Sequence, residues 1–402
     1  MSEHPDQHAN AKSELHVLAL NSGSSSLKFG LYRVHAAQIE RVIDGEAEGI
    51  RERRSIFRAQ GAGGSSLVHE TAPLASQRAA VERIGKLLAE SRVPAPQVIG
   101  HRIVHGGPAL RQHCRMDANV ERELEAATAL APLHTPVALS VIRCAQAHFP
   151  GLPQVACFDT TFHRAMPDVA RALALPAALR DQGIQRYGFH GLSCESIVRQ
   201  LAGETGGGVP HRLAIAHLGN GASITAVLDG VSVDTSMGLT PSGGVIMGTR
   251  SGDLDPGVLV YLARERKFDA AMLEDLVDHR SGLLGISGLS SDMRKLHEAA
   301  ASNADARLAI RMFCQSVRKQ LGAMSVVLDG LDMIVFTGGI GEHDAAVRAA
   351  ICSGLASIGV GVDAARHHGV GSSQGHSEPR CQVRTLPSLE DEQIALHAWA
   401  LQ

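Results

Sequence analysis

The chain has 402 residues, with 38 lysines and arginines, 41 acidic residues and a formal net charge of −3. This length exceeds what one hydrophobic core usually organises, so we expect two domains. A pI near 6.7 without a block of basic residues is not typical of a nucleic-acid-binding protein.

The first fourteen residues are polar and lack the apolar core of a signal peptide. We expect residues 1–14 to form a flexible tail. No later apolar run reaches the length of a membrane span, and the seven cysteines form no C-x-x-C pair. Irregularly spaced thiols fit a reducing compartment, so the sequence predicts a cytoplasmic protein without a zinc or disulfide framework.

Two β-rich runs follow, at 15–20 and 27–34, separated by a serine-rich turn. The same arrangement returns at 213–217 and 224–228 around a glycine-rich loop, which predicts an internal duplication into two similar halves. Strands and helices alternate along the chain, which indicates an α/β fold with mixed sheets and a site in the cleft between the halves. The predicted helices are 121–130, 137–147, 305–327, 345–355 and 390–401.

Three loops that follow strands have the composition of phosphate-binding loops: 21–28, 217–223 and 338–342. None has the spacing of a Walker A motif. Small residues let the backbone approach a phosphate closely, hydroxyl and N–H groups donate to it, and Lys28 adds charge. One serine-rich hairpin is by itself an ordinary turn. Three such loops in one chain favour phosphate binding.

Two arginines lie beside glycines: Arg102 in GHRIVHGG and Arg250 in MGTRSGDLDP. Flanking glycines remove steric bulk, so each guanidinium is able to present its fork of donors to an anion. A tight turn with a surface ion pair is the alternative for either one. The pair together predicts an anion clamp.

His190, in RYGFHG, and Asp159, after a predicted strand at 152–157, are further candidates. A histidine in such a segment also occurs as a structural group. A carboxylate at a strand end caps a helix, binds magnesium through water, or orients an arginine. From these residues alone the three roles of Asp159 stay open.

Nine segments in order resemble the acetate kinases, members of the superfamily of acetate and sugar kinases, heat-shock ATPases and actin. They are LNSGSSSLKF, GHRIVHGG, APLHTP, FDTTFH, RYGFHG, HLGNGASI, MGTRSGDLDP, SGLLGISGLSSDMR and FTGGIGE. The resemblance spans 17–395. It implies two similar actin-like ATPase-type domains with a duplicated ribonuclease H-like core, mixed sheets flanked by helices, and a central cleft. The implied first domain is 15–160 plus 386–402, closed by the C-terminal helix, and the nucleotide-binding second domain is 161–385.

The resemblance also implies a role for individual residues. The matches to catalytic groups are Arg102 and Arg250, which bind the carboxylate and the phosphoryl group, His190, which stabilises the transition state, and Asp159. The matches to the acceptor site are Arg102, Val104, Leu133, Phe189 and Pro241. The matches to nucleotide contacts are Lys28, His217, Leu218, Gly219, Asn220, Gly221, Asp292, Met293, Arg294, Gly339, Ile340, Gly341, Glu342 and His343. Asn21 and Glu390 match magnesium-linked residues.

The implied activity is reversible, direct in-line transfer of the ATP γ-phosphoryl group to acetate, giving acetyl phosphate and ADP. ATP and ADP are substrates, Mg²⁺ is the cofactor with Mn²⁺ as an alternative, and a homodimer is expected. A carboxylic acid is already ionised at neutral pH, so no general base is needed. The alternatives are a propionate kinase and, in another class, a non-catalytic ATP-dependent clamp.

Overall fold

The computed structural model describes residues 13–23, 25–36, 38–132, 134–361 and 380–402. The predictions for Leu133 and for most of the tail, 1–12, lie outside the described residues. The chain divides into two compact units: unit 1 runs to Thr161 and includes Glu390–Gln402, and unit 2 is Phe162–Leu389.

The described residues form thirteen strands and fourteen α-helices. The strands are β1 (Leu15–Ser22), β2 (Ser26–His35), β3 (Gln38–Glu48), β4 (Ser55–Gly61), β5 (Ser66–Ala72), β6 (Val98–Ile103), β7 (Cys114–Arg115), β8 (Gln154–Phe158), β9 (Arg212–Leu218), β10 (Ala222–Leu228), β11 (Val231–Thr235), β12 (Met333–Thr337) and β13 (Gln382–Thr385). The helices are α1 (Gln77–Glu90), α2 (Ala118–Ala126), α3 (Thr135–His148), α4 (Asp168–Arg171), α5 (Ala177–Arg180), α6 (Gly191–Glu204), α7 (Pro256–Glu265), α8 (Ala270–His279), α9 (Gly282–Ser287), α10 (Met293–Ala299), α11 (Ala304–Val327), α12 (Gly338–His343), α13 (Ala345–Cys352) and α14 (Glu390–Ala400).

Unit 1 is built on one sheet with the strand order β5-β4-β3-β2-β1-β6-β8-β7. β1, β6 and β8 are parallel neighbours, and the other pairings are antiparallel. The middle of β1, from Val17 to Leu20, is buried, as expected of a central strand covered on both faces. Because the three parallel strands end at the same edge, residues at their carboxyl ends come together there.

The helix α14 brings the end of the chain back onto the sheet of unit 1, where it packs on β1, β2, β6 and β8. Gly100 makes this packing close: a Cβ there would lie 2.6 Å from Cγ2 of Ile394. Three acidic residues, Glu390, Asp391 and Glu392, form its first turn, where the helix dipole favours negative charge. The packing of α14 on this sheet therefore brings Glu390 close to Asn21, which lies on β1.

Unit 2 has a five-stranded sheet in the order β11-β10-β9-β12-β13. β9, β12 and β13 are parallel, and β10 and β11 pair antiparallel. The core of this unit includes Ile197 of α6, Ile215 of β9 and Val335 of β12, and these three residues are fully buried. The long helix α11 packs on β9 and β10 and is capped by Asn303, whose side chain accepts from the backbone N–H groups of Asp305 and Ala306.

The predicted α/β class with mixed sheets is confirmed. Most predicted strands and helices are present, but the meander β3–β5 was not predicted. The first two predicted loops are shorter than expected, because the strands continue to Ser22 and Leu218 and resume at Ser26 and Ala222. The third predicted loop, 338–342, was wrong, because this segment forms the short helix α12. Among the described residues, no helix combines the length and apolar character that crossing a bilayer requires.

Candidate active site

At the carboxyl edge of the unit 1 sheet, Arg102 of β6 meets Asp159, the residue after β8. Nε and Nη2 of Arg102 donate to Oδ2 of Asp159 at 3.0 and 2.7 Å, and Nη1 donates to Oδ1 of Asn21 at 3.3 Å. Asp159 is fully buried, and the Arg102 side chain is 17% exposed. Of the three roles open for Asp159, this geometry matches the orientation of an arginine.

The charge of Arg102 is maintained by this surrounding. Burial alone lowers the pKa of the guanidinium, but the carboxylates of Asp159, Glu390 and Asp391 outweigh it and raise the pKa above its ordinary value. Arg102 is therefore a permanent cation at the edge of the sheet, with an orientation set by two hydrogen bonds.

Asn21, at the end of β1, joins this pair to a cluster of carboxylates. Its Nδ2 donates to Oε2 of Glu390 and to Oδ1 of Asp391, at 3.0 Å each. Burial and the nearby Glu390 raise the pKa of Asp391 to about 6, against the lowering effects of the Asn21 hydrogen bond, Lys28 and Arg102. Asp391 therefore takes up a proton more readily than an exposed aspartate does.

These residues fit a divalent cation. Glu390 and Asp391 offer carboxylate oxygens, the ligand type that Mg²⁺ prefers, and the side chain of Asn21 lies between them and Arg102. The raised pKa of Asp391 indicates an environment in which a cation would be stabilising. Lys28 lies on β2 directly opposite Asn21 and is exposed.

At the start of α6 in unit 2, His190 is the N-cap residue and has a left-handed backbone, with φ of 58°. Such a conformation is costly for a residue with a side chain and clusters at functional sites. The ring stacks on His217 with a centroid distance of 4.1 Å and an interplanar angle of 20°. Its Nδ1 lies 3.0 Å from Oγ of the buried Ser223.

The segment before His190 is held by a second buried histidine. Nε2 of His163 lies 2.9 Å from the carbonyl oxygen of Phe189, and Nδ1 lies 2.9 Å from Oγ of Ser232. Burial lowers the pKa of His163 to about 4, despite the backbone hydrogen bond and Glu195. His163 is therefore a neutral structural group that sets the path of the chain into His190.

Arg250 lies in an irregular segment that is bonded to the α9 region. Its carbonyl accepts from the N–H of Met247, and its Nη1 donates to the carbonyl of Pro241 at 3.3 Å. Gly282 has φ of +61°, and a Cβ there would lie 2.7 Å from the Arg250 carbonyl oxygen. A Cβ at Gly221 would lie 3.1 Å from Nε2 of His190 and 3.5 Å from Nη1 of Arg250. The imidazole of His190 and the guanidinium of Arg250 therefore both lie close to Gly221.

The glycine turn after β9 and the glycine-rich start of α12, which follows β12, meet at the carboxyl edge of the unit 2 sheet. Gly338 has φ of +77°, and a Cβ there would lie 2.8 Å from the carbonyl oxygen of Leu218. A Cβ at Gly219 would lie 3.9 Å from the backbone nitrogen of Gly339. Backbone N–H groups without side chains around them suit the oxygens of a phosphate chain.

Other predicted nucleotide residues lie near this edge or on neighbouring helices. The Glu342 carboxylate is turned onto the backbone and accepts from the N–H groups of Gly338 and Ser388, at 2.9 and 3.0 Å. Asp292 caps α10 and pairs with the exposed Arg294. His343 ends α12 and is exposed.

Three residues predicted to line the acceptor site are buried, each within its own unit: Val104 after β6 in unit 1, and Phe189 and Pro241 in unit 2. Leu133 is outside the described residues.

Two polar residues near these sites were not singled out from the sequence: Asp391 and Ser193. Asp391 is adjacent to Glu390, and that adjacency was the available signal. Ser193 belongs to an ordinary helix pattern. Ser223 was predicted only as the end of the phosphate-binding loop 217–223, and its contact with His190 was not predicted.

The two sheets share an order of five strands, and each has a polar or glycine-rich carboxyl edge, which is the arrangement of a phosphate-handling transferase of the actin-like ATPase fold. The Acetokinase family model matches residues 16–396, and this chain belongs to that family.

An acetate kinase of Methylocella silvestris is 41% identical over 400 residues, which cover 96% of this chain and 97% of the relative. Among solved structures, a propionate kinase from Francisella tularensis has a TM-score of 0.87 at 35% identity and covers 96% of this chain and 100% of its own. Porphyromonas gingivalis acetate kinase has a TM-score of 0.83 at 32% identity, with 96% and 99% covered.

These comparisons confirm the predicted family, fold and enzyme class. The chain is a kinase, and ATP and ADP as its substrates follow from the family. The alternative of a non-catalytic clamp loses its support.

Proposed function

We propose that the protein is an acetate kinase, which reversibly transfers the γ-phosphoryl group of ATP to acetate. The observation that carries this proposal is the pairing of Arg102 with Asp159. A sugar kinase needs a carboxylate free to accept the proton of a hydroxyl group. Here the aspartate oxygen accepts two bonds from an arginine, which suits an acceptor that is already an anion.

In the proposed mechanism the protein overcomes repulsion between two anions. Arg102 binds the acetate carboxylate in the orientation that Asp159 imposes. Arg250 and His190 donate to the oxygens of the transferring group, where charge spreads in the transition state. The glycine-rich segments after β9 and β12 let the remaining phosphates approach the backbone closely. Val104, Phe189 and Pro241 provide apolar surface for the methyl group.

Magnesium is part of this proposal. Asn21 and Glu390 would hold it, with Asp391 beside them, and Mn²⁺ has the same preference for oxygen. When bound, the ion neutralises phosphate charge and so assists attack by an anion.

The test is formation of acetohydroxamate from acetate, ATP, Mg²⁺ and hydroxylamine by the purified protein. We expect hydroxamate in amounts equal to the ADP released, and ATP formation from ADP and acetyl phosphate in reverse. ADP release without hydroxamate would contradict the proposal and indicate a hydrolase.

Propionate kinase is the second candidate, because the Francisella tularensis structure carries that title at 35% identity. One methylene group is worth about 1–3 kcal/mol in a hydrophobic pocket. The relatives named acetate kinase at about 40% identity favour acetate. We expect kcat/KM for acetate to exceed that for propionate by about tenfold or more, and the reverse ratio would assign the second function.

We further propose that the protein is a homodimer that associates through α7 and α8. Neither helix has a buried residue, although both carry apolar side chains. Val258, Val260, Tyr261 and Met272 are 43, 59, 48 and 40% exposed. Short helices are marginal in water unless an apolar face packs, so this surface fits a second copy of the chain.

The test of the dimer is mass measurement by light scattering during size exclusion. We expect Val260→Asp to shift the wild-type dimer to a monomer. Val326→Asp is the matched control, because Val326 on α11 is also exposed, at 81%. A monomeric wild type, or dissociation by both variants alike, would refute the proposed surface.

We also propose that the protein works in the cytoplasm. All seven cysteines are free, and burial raises the pKa of Cys314 to about 11 and of Cys381 to about 12. Such thiols are unreactive and need no oxidising environment. Cell fractionation should recover the protein with a cytosolic marker, and recovery from a periplasmic or membrane fraction would contradict this.

A further inference from the structure

Two buried serines contact the inner ring nitrogens of the stacked pair His190 and His217. Ser223 of β10 has its Oγ 3.0 Å from Nδ1 of His190 and is fully buried. Ser193 of α6 has its Oγ 2.8 Å from Nδ1 of His217 and is also fully buried. Each imidazole is thereby held by a hydroxyl on the side away from the glycine loops.

The outer ring nitrogens face the two glycines of the β9–β10 turn. Nε2 of His190 would lie 3.1 Å from a Cβ at Gly221, and Nε2 of His217 would lie 3.9 Å from a Cβ at Gly219. A donor at each Nε2 is what the phosphoryl oxygens of a nucleotide require. A neutral imidazole has one donor and one acceptor nitrogen, so the tautomer decides whether Nε2 attracts or repels an oxygen.

A hydroxyl at Nδ1 selects the useful tautomer. When His190 is neutral, Ser223 donates to Nδ1 and the proton resides on Nε2. When His190 is cationic, Nδ1 donates to the serine oxygen and Nε2 still carries a proton. In the described part of the chain, Nδ1 of His190 is the one hydrogen-bond partner of this hydroxyl.

For His217 the direction is set by a longer chain of bonds. The hydroxyl of Ser388 donates to Oγ of Ser193 at 2.9 Å, which directs the proton of Ser193 to Nδ1 of His217. The N–H of Ser388 donates in turn to the Glu342 carboxylate, which also accepts from the N–H of Gly338 at the start of α12. The orientation of His217 is thus tied to the loop predicted to bind nucleotide.

We propose that Ser223 and Ser193 are positioning residues that hold His190 and His217 as Nε2–H donors toward the phosphoryl group. The role in turnover rests on the proposed kinase function, whereas the tautomer assignment does not. Stacked rings also disfavour simultaneous protonation of both, since like charges in contact repel. The hydroxyls therefore matter most when the rings are neutral.

The first experiment compares Ser223→Ala with Thr225→Val. Thr225 lies two residues along the same strand and is also fully buried, and its hydroxyl contacts Thr235 rather than a histidine. We expect kcat of Ser223→Ala to fall about tenfold, the effect of one lost hydrogen bond of ordinary strength, with KM for ATP nearly unchanged. Thr225→Val should keep its kcat.

The pH dependence separates positioning from simple structural damage. His190 is faced by the titratable His217 and by the charged Arg250. The loss of kcat in Ser223→Ala, relative to the wild type, should grow from acid to alkaline pH, because only a neutral ring is able to adopt the tautomer with the proton on Nδ1. The proposal would be overturned if the loss of kcat were the same at every pH, or if Thr225→Val showed the same loss.

The second experiment observes the tautomers directly in protein labelled with ¹⁵N-histidine. Long-range ¹H–¹⁵N correlation spectra at alkaline pH should show His190, assigned by the loss of its signals in His190→Gln, as Nε2–H. Ser223→Ala should shift that signal toward a mixture. An unchanged tautomer would overturn the proposal even if the enzyme turned out to act on another substrate, and a wild type inactive with acetate would instead refute the proposed function.

The matched pair for His217 is Ser193→Ala and Ser196→Ala. Both hydroxyls are buried on α6 and contact the segment at 388–389, but only Ser193 contacts a histidine. We expect Ser193→Ala to alter the His217 signal and to lower kcat several-fold, and Ser196→Ala to do neither. Equal effects from both would assign Ser193 to holding the 388–389 segment alone.

Discussion

The two units use the same strand order in different ways. The order β3-β2-β1-β6-β8 in unit 1 corresponds to β11-β10-β9-β12-β13 in unit 2, with two antiparallel pairings followed by two parallel ones in each. The carboxyl edge of unit 1 carries charged side chains, Arg102 and Asp159 among them. The edge of unit 2 carries glycine backbone and two imidazoles.

This difference shows how a duplicated fold takes on two tasks. Parallel strands determine where a site forms, since their carboxyl ends meet at one edge. The residues at that edge determine what binds there. Side-chain charge suits a small carboxylate and a cation, whereas glycine backbone that a ligand is able to approach closely suits a chain of phosphates.

The largest effect is expected from a substitution that tests whether unit 2 contributes side-chain charge, in addition to glycine backbone, to phosphoryl transfer. Arg250→Ala should lower kcat about a thousandfold, because an arginine on the transferring phosphoryl group is worth 10³ or more, while KM for ATP changes little. Steady-state kinetics in both substrates measure this. Arg250→Lys keeps the charge without the fork and should retain intermediate activity. An unchanged kcat would remove Arg250 from the proposed chemistry.

The next effect concerns the charged edge of unit 1. Asp159→Asn should lower kcat about a hundredfold and raise KM for acetate, because a misplaced Arg102 no longer orients the acceptor. The pH profile should keep its shape, and loss of one limb would mean that Asp159 is a base after all. Asp332→Asn is the control in unit 2, because its pairing with Arg212 is partly exposed and remote from either edge cluster.

A third prediction compares two glycines at the carboxyl edge of unit 2, one needed for the fold and one predicted to contact only the nucleotide. Gly338→Ala should lower the free energy of unfolding by about 1–2 kcal/mol or more, because its φ is positive, and KM for ATP should rise. A Cβ at Gly339 would have no atom within 4 Å, so Gly339→Ala should have the melting temperature of the wild type, while its KM for ATP rises. If Gly339→Ala leaves KM for ATP unchanged, the loop is not part of the nucleotide site.

The smallest effect is on stability and again concerns unit 1. The pKa of Asp391 is raised from 3.8 to about 6, so between these values the folded state binds more protons than the unfolded state and stability falls as pH rises. At neutral pH without Mg²⁺, the melting temperature of Asp391→Asn should therefore be a few degrees above that of the wild type. Near pH 4 the two melting temperatures should be equal. Thermal unfolding by circular dichroism measures this, and a lower melting temperature of the variant at neutral pH would contradict the assignment.

Much of the fold was predictable because its signals are local. The runs in β1 and β9 are apolar and bounded by turn residues, and repeated spacing around them indicated the duplication. The meander β3–β5 was missed because its strands are rich in polar and charged residues on a partly exposed sheet, as in Gln38–Glu48, where only Ile43 and Ala47 are buried. Its pairing with β2 is what stabilises it.

By itself, the sequence determined the family, the α/β class and the residue types a phosphate-transferring site needs, because motifs and periodicity are properties of neighbouring residues. Only the tertiary structure decided that Asp159 pairs with Arg102, that Asp391 joins Asn21 and Glu390, and that Ser223 holds His190. Asn21 and Glu390 are 369 residues apart. Contacts over such separations, and the burial that shifts a pKa, exist only once the sheets have assembled.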